Sequence, residues 1–290
     1  MTTERELRAR IENEIKRFVR EDPGNRFERL DNSPMFLEPL VGFAAGDDPI
    51  FKELKKIIGQ FHLTPLEVMA DIARSRGIPV PAEDSIGVVC YVLPISSPTK
   101  KENAGMKDGP SERWANVRLF GESFNRSVQR NMISLLQDKG FVAGSPDTQK
   151  GLYQLHTDEK VGFTSNWSLR HIAFAAGLGS FGLCDGLITK EGKAHRIGSF
   201  VVDRRFRSPK RTGDLHENCL FFHGKACREC MKRCPVGAIS EKGHDKSKCK
   251  EFVFGQQSKV LEKYGIDIYA CGLCQTGVPC ESGIPRKVKK

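Results

Sequence analysis

Apolar residues recur at near-helical spacing at the start of the chain. Leu7, Ile11, Ile15 and Phe18, with charges between them, predict an amphipathic helix over residues 3–20. Asp22-Pro23-Gly24-Asn25 ends it, and residues 26–47, with Pro34, Pro39 and a small-residue run at 42–46, read as irregular. Asp48 as N-cap with Pro49 behind it opens a helix to about Phe61. Thr64-Pro65-Leu66-Glu67 is a capping-box start for another helix, closed by Gly77. The first 80 residues therefore read as a helical layer without chemistry of its own.

The pattern then changes. Ile86-Gly87-Val88-Val89-Cys90-Tyr91-Val92-Leu93 is apolar without alternation, as a strand buried on both faces would be, with Cys90 a small core residue. Residues 111–139 predict a long helix, kinked near Gly121 and stopped by Gly140, with Trp114, Leu119, Phe124, Val128, Met132, Leu135 and Leu136 as its core stripe. A strand is expected at 151–156, a polar break at 157–160 and a helix at 166–176. Further strands at 187–189 and 196–202 are joined by the turn Glu191-Gly192-Lys193. This alternation predicts an α/β or α+β core over about 80–205.

Composition narrows the class. The 290 residues, 39% of them hydrophobic, supply a core for one large domain or two modest ones. No apolar run reaches the roughly 20 residues that span a bilayer. The charged start Met1-Thr2-Thr3-Glu4-Arg5 is no signal peptide, so a cytoplasmic location is expected. The net charge of +10 fits an acidic partner as well as it fits a merely soluble surface. The same two readings stay open for the basic stretch 203–212. Residues 286–290 form a basic tail.

The chemistry is concentrated late. Eight of ten cysteines lie between 219 and 280, as C-x7-C-x2-C-x3-C-P at Cys219, Cys227, Cys230, Cys234 and Pro235, then Cys249, then Cys271, Cys274 and Cys280. A fourth cysteine placed directly before Pro is the bacterial ferredoxin arrangement, in which it crosses to a second cluster, and eight thiolates serve two [4Fe-4S] clusters. A disulfide framework belongs to short secreted domains. Zinc knuckles would use Cys227, Cys230, Cys271 and Cys274 and leave the other four without work.

Gly177-Leu178-Gly179-Ser180-Phe181-Gly182 matches G-x-G-x-x-G, with Asp203 further on. A dinucleotide fingerprint needs a strand before the glycines and a helix after them; here the predicted order is the reverse, which argues against a nicotinamide site. Glycines this dense let a backbone approach a flat ligand closely, or let a helix end in a tight turn.

Together, the stretch from Asn166-Trp167-Ser168 through the glycine loop, Leu187-Ile188-Thr189, residues 196–203 and the double cysteine motif resembles the epoxyqueuosine reductase and reductive dehalogenase superfamily. Leu40-Val41-Gly42-Phe43-Ala44 with Asp47-Asp48-Pro49 resembles its dehalogenase-related branch. The resemblance implies an α+β protein: an N-terminal helical segment (1–80), a nitroreductase-like α/β corrinoid-binding core (81–210) and a C-terminal ferredoxin-like double-cluster module (211–290). It further implies that Cys219, Cys227, Cys230 and Cys280 hold one [4Fe-4S] cluster, that Cys234, Cys249, Cys271 and Cys274 hold the other, and that the loop Gly177, Leu178, Gly179, Ser180, Phe181 and Gly182 packs against a base-off cobalamin. Electrons would come from a low-potential donor such as ferredoxin or flavodoxin, and the substrate would be a small molecule.

The chain also departs from that pattern. Epoxyqueuosine reductases carry an Asp before the loop as proton donor, and the matching position is Phe163. Their tRNA-binding repeat region has no counterpart after Cys280, so a tRNA substrate is not expected, and the lack of a bilayer-spanning apolar run leaves no membrane partner expected. Tyr153, His156, Asp158 and His171 are the candidate proton donors; His171 reads equally as a hydrogen-bonded core residue. Cys184 is a buried thiol or a ninth one near the cofactor. Two rival functions remain: a ferredoxin-type electron carrier without corrinoid, and a reductive activator of another corrinoid protein.

Overall fold

The computed structural model describes residues 2–159, 161–224 and 227–286. Its first half runs α1 (Glu4–Glu21), β1 (Leu40–Ala45), α2 (Ile50–Ile58), α3 (Pro65–Ser75), β2 (Gly87–Pro94), α4 (Ser97–Ala104), α5 (Glu112–Asp138) and β3 (Ala143–Gly144). There follow β4 (Leu155–Asp158), β5 (Gly162–Ser165), α6 (Leu169–Ala175), β6 (Ser180–Phe181), β7 (Leu187–Ile188) and β8 (His195–Val202). The cysteine segment holds α7 (Glu229–Lys232), β9 (Ile239–Ser240), β10 (Gly243–His244), α8 (Lys246–Phe254) and α9 (Gln257–Tyr264).

Local chemistry accounts for the helix starts. Thr3 and Thr64 each cap a helix in a reciprocal box with Glu6 and Glu67, which satisfies amide hydrogens that the first turn leaves unpaired. Gly77, at φ +64°, follows α3 in the left-handed conformation that glycine adopts without strain.

The main sheet is antiparallel, in the order β1-β2-β8-β3. Its core strand β2 is buried along its whole length. Val89, Tyr91 and Leu93 face a core built with α1 and α5, whereas Val88, Cys90 and Val92 face a second core built with α2, α3 and α6. Helices thus cover both faces, which explains why β2 shows no polar alternation. Two large buried side chains of these cores have partners: the Tyr91 hydroxyl donates to Asn125 O at 2.8 Å and Trp167 Nε1 to Ser199 Oγ at 2.9 Å.

Several expectations change. Residues 26–47 are not wholly irregular, because 40–45 pair with β2 as an edge strand; Gly42 faces Cys90, 48 positions away, and local pattern cannot reveal such a partner. The helical segment 1–80 therefore shares a sheet with the core. The strand expected at 151–156 is displaced to 155–158 and forms a surface hairpin with β5. The stretches at 187–189 and 196–202 are strands but do not pair: β7 joins β6, and β8 lies inside the main sheet. Of the polar break, Thr157 and Asp158 are in β4 and Lys160 falls outside the described residues, as does the tail at 287–290. Gly121 lies within the unbroken α5, where a side chain would meet the Phe36 ring at 2.8 Å. Among the described residues, no helix is long and apolar enough to cross a membrane.

The cysteine segment is tied to this core by polar clamps. Arg233 donates to the carbonyls of Asn103, Met106, Leu273 and Thr276. Buried Asn103 donates to Thr276 Oγ1 at 3.0 Å and accepts from Ser111 N. The lead-in strand is held by Arg211, which grips both Asp48 oxygens at 2.8 and 2.7 Å and the Ala175 carbonyl at the end of α6. Burial opposes the Asp48 charge, but Arg211 and Ser208 outweigh it and hold the carboxyl below its ordinary range. Arg211→Ala should cost about 3 kcal/mol in urea unfolding at neutral pH, because it strands a buried carboxylate. Since the folded pKa of Asp48 is depressed, the stability lost in Asp48→Asn is fully present above about pH 4 and shrinks as pH falls through the folded value.

Candidate redox and cofactor site

The eight late cysteines come from short, irregular pieces. Cys219 ends a turn, Cys230 sits on α7, Cys234 follows it, Cys249 is on α8, and Cys274 lies in a single 3-10 turn at Leu273–Gln275. Cys219, Cys227, Cys230 and Cys280 line one cavity together with Gly182, Leu183 and Lys193. On the other side, Cys271 feels the charges of Cys249 and Cys234, and Cys274 that of Cys271. Burial pushes the Cys271 and Cys280 thiols up to about 11.

Cys184 stands between the two groups. Its thiol packs in one cluster with Cys230 and against Cys274, and Lys193 Nζ donates to it at 3.2 Å. The neighbouring thiols and the ammonium hold Cys184 toward the thiolate against the opposing effect of burial. His244 contacts Asp185, the residue after Cys184, at 3.3 Å; although burial disfavours its charge, Asp185 and Cys249 raise it to about 9.

The glycine loop leaves α6 and enters β6, so a helix precedes it and a strand follows. This is the order opposite to a dinucleotide fingerprint. Its residues divide between two cavities. Gly177, Leu178, Gly179 and Ser180 line a cleft of about 620 Å³, whereas Gly182 borders the thiol cavity. The cleft also takes Leu40 and Val41 from β1, Lys16 from α1, and Asn218, whose chain neighbour Cys219 lines the thiol cavity. Apolar walls under a rim of lysines and glutamates suit a ligand with a flat apolar body and a polar edge.

The glycines also have an internal reason. A Cβ on Gly179 would lie 2.4 Å from the Ile188 carbonyl oxygen, and one on Gly177 2.7 Å from Pro209. The close approach is thus within the chain itself, to the backbone of β7 for Gly179 and to the Pro209 ring for Gly177.

The four candidate proton donors do not converge. Tyr153 is exposed and borders a separate cleft with Arg126, Arg130 and Asp147. His156 stacks on Phe61 with ring centroids 4.2 Å apart, and its Nε2 is buried without a partner among the described residues. Asp158, on the same strand, accepts from Val161 N. His171 is tied to Ser168 Oγ at 2.8 Å and packs on Phe181 of the loop; burial, aided by Arg170, lowers it to about 3, so it is neutral at physiological pH. None of the four lines the cleft at the loop. Lys193, Asn218 and Arg211 were not singled out by sequence pattern, since a lysine in a glycine turn or an arginine in a basic stretch reads as surface.

No family model and no curated protein matches the chain in sequence. Solved structures do match in fold. An epoxyqueuosine reductase bound to an epoxyqueuosine-modified tRNA stem loop aligns over 96% of this chain and 67% of its own, at 15% identity and TM-score 0.50. A catabolic reductive dehalogenase in complex with 3-bromo-4-hydroxybenzoic acid aligns over 85% of this chain and 30% of its own, at 16% identity and TM-score 0.50. A reductive dehalogenase whose structure is linked to B12-dependent dehalogenation aligns over the same shares at 15% identity and TM-score 0.50. The mixed α/β fold of this chain is the fold of these neighbours, and they are the two kinds of protein that its motifs resemble.

Among the described residues, no three His, Cys, Asp or Glu side chains converge as tightly as a single metal ion requires. The donor set is one of thiols, four on a common cavity, and it suits the iron–sulfur chemistry that sulfur ligands select. Gly179→Ala should lower thermal stability, by about 1–3 kcal/mol for an overpacked site, because the loop must lift off β7. The check is a melting curve beside iron content: destabilisation with the thiols still able to take up iron would place the effect in the loop's packing.

Proposed function

We propose that the protein is a corrinoid-dependent iron–sulfur reductase of a small molecule. The observation that carries this reading is the shared wall between its two cavities: residues 177–182 border the cleft on one side and the thiol cavity on the other, and Asn218 and Cys219 repeat that division. The fold neighbours support it, being reductases by name and, in one case, linked to B12.

On this reading Cys219, Cys227, Cys230 and Cys280 hold one [4Fe-4S] cluster and Cys234, Cys249, Cys271 and Cys274 the other, in a ferredoxin-like module over 211–290. The core over 81–210, nitroreductase-like in architecture, holds cobalamin in the cleft. When bound, the clusters supply single electrons and the corrinoid a reducible cobalt. The chain's part is placement. The backbone of Gly177 and Gly179 lines the cleft without side chains, Leu178 and Val41 give it apolar wall, and Lys190 and Lys210 meet the polar edge. Of the candidate proton donors, His171 stands nearest the loop through Phe181, and its neutral ring would position a donor rather than be one.

The test is anaerobic reconstitution with iron and sulfide, followed by cobalamin. About eight irons per chain, one equivalent of corrinoid with a base-off absorption spectrum, and turnover of an organohalide or epoxide are expected. Iron uptake without corrinoid binding overturns the proposal in favour of an electron-transfer protein. Corrinoid binding without turnover moves it to an activator of another corrinoid protein.

A further inference from the structure

We infer that Lys193 is an electrostatic tuner shared by the two thiol groups, a fixed ammonium that makes the bound clusters easier to reduce. The inference rests on the cluster assignment above and concerns a residue outside both ligand sets.

Lys193 is 2% exposed, which is exceptional for a lysine. Its ammonium donates to sulfur, Cys184 Sγ at 3.2 Å, and Cys184 is itself 4% exposed. Cys184 packs in one buried cluster with Cys219, Cys230 and Cys280, and Cys234 and Cys274 lie against that cluster. Those thiols belong to both groups: Cys219, Cys230 and Cys280 to the first, Cys234 and Cys274 to the second.

The backbone fixes this position. Lys193 N donates to the Cys280 carbonyl at 3.0 Å, and Gly192, at φ +86°, would bring a Cβ to 2.1 Å from the Glu281 carbonyl oxygen. The turn is therefore pressed onto the segment that carries Cys280, and the side chain has nowhere to go but between the thiols. A buried ammonium requires negative charge around it. Four-thiolate clusters carry net negative charge that grows on reduction, so a nearby cation stabilises the reduced form, as do hydrogen bonds to sulfur. Since Lys193 lines the cavity of Cys219, Cys227, Cys230 and Cys280, the first cluster should feel it most.

The experiment is an EPR-monitored redox titration of the reconstituted full chain, for the unaltered protein, Lys193→Met and Lys193→Arg. Lys193→Met should lower the ratio of reduced to oxidised first cluster at least tenfold at fixed potential, about 59 mV for a one-electron couple, while Lys193→Arg restores most of it. Equal potentials in all three, with equal iron content, overturn the inference and leave the cluster reading intact. Absence of clusters from the unaltered protein overturns the cluster reading itself. If Lys193→Met does not retain iron, pulsed EPR on unaltered protein grown with ε-15N-lysine decides: a weak 15N coupling to the reduced cluster is expected, and its absence overturns the inference.

Discussion

The contact on which the site depends is a backbone one, between the turn at 189–193 and the chain at 280–282. Gly192 lies so close to Glu281 that no side chain fits, and Lys193 and Ala194 donate to the carbonyls of Cys280 and Glu281. This turn leads directly into β8, the strand that pairs with β2 and β3 inside the main sheet. The last cysteine is thereby referred to the main sheet. The cysteine segment has few buried apolar residues and short elements, so it holds its shape through such contacts, through the Arg233 clamp and through Trp114 against Gly272.

The sequence is most legible where the chemistry is local. The Thr3 and Thr64 capping boxes, the length of α5 and the doubly buried β2 all follow from neighbours within a few positions. The cysteine spacing is local in the same sense, and it shows the donor set before any coordinate does. β1 is illegible for the converse reason: Leu40-Val41-Gly42-Phe43 is a strand because β2 lies beside it, and Gly42 because Ala176 O and Leu178 press on it from the end of α6. The two strands that flank residues 189–194 are joined by a glycine turn, but sequence does not say what each pairs with. The turn closes on itself through the Thr189–Gly192 bridge and hands each strand to a different sheet.

The glycine loop shows how a motif can be right about position and incomplete about cause. Three glycines in six residues do mark a close approach. The approach that the structure contains is to Ile188 and Pro209. Ligand and backbone are not exclusive partners, because a loop held tight on β7 presents its other face, with Gly177 and Ser180, to the cleft. Packing of one face is what makes the other face a fixed wall.

Charge completes the picture. The excess of lysine and arginine is not spent uniformly on the surface: Arg211 neutralises a buried carboxylate, Arg233 binds four carbonyls, and Lys193 is enclosed by sulfur. The first two have partners whose polarity is permanent. Thiols are different, since as neutral groups they are weak acceptors and would leave a buried ammonium almost unsolvated. A buried ammonium in this place is stabilised by whatever negative charge the sulfur around it carries. On that physical ground, the anionic clusters proposed above would meet a need that the enclosed Lys193 already shows.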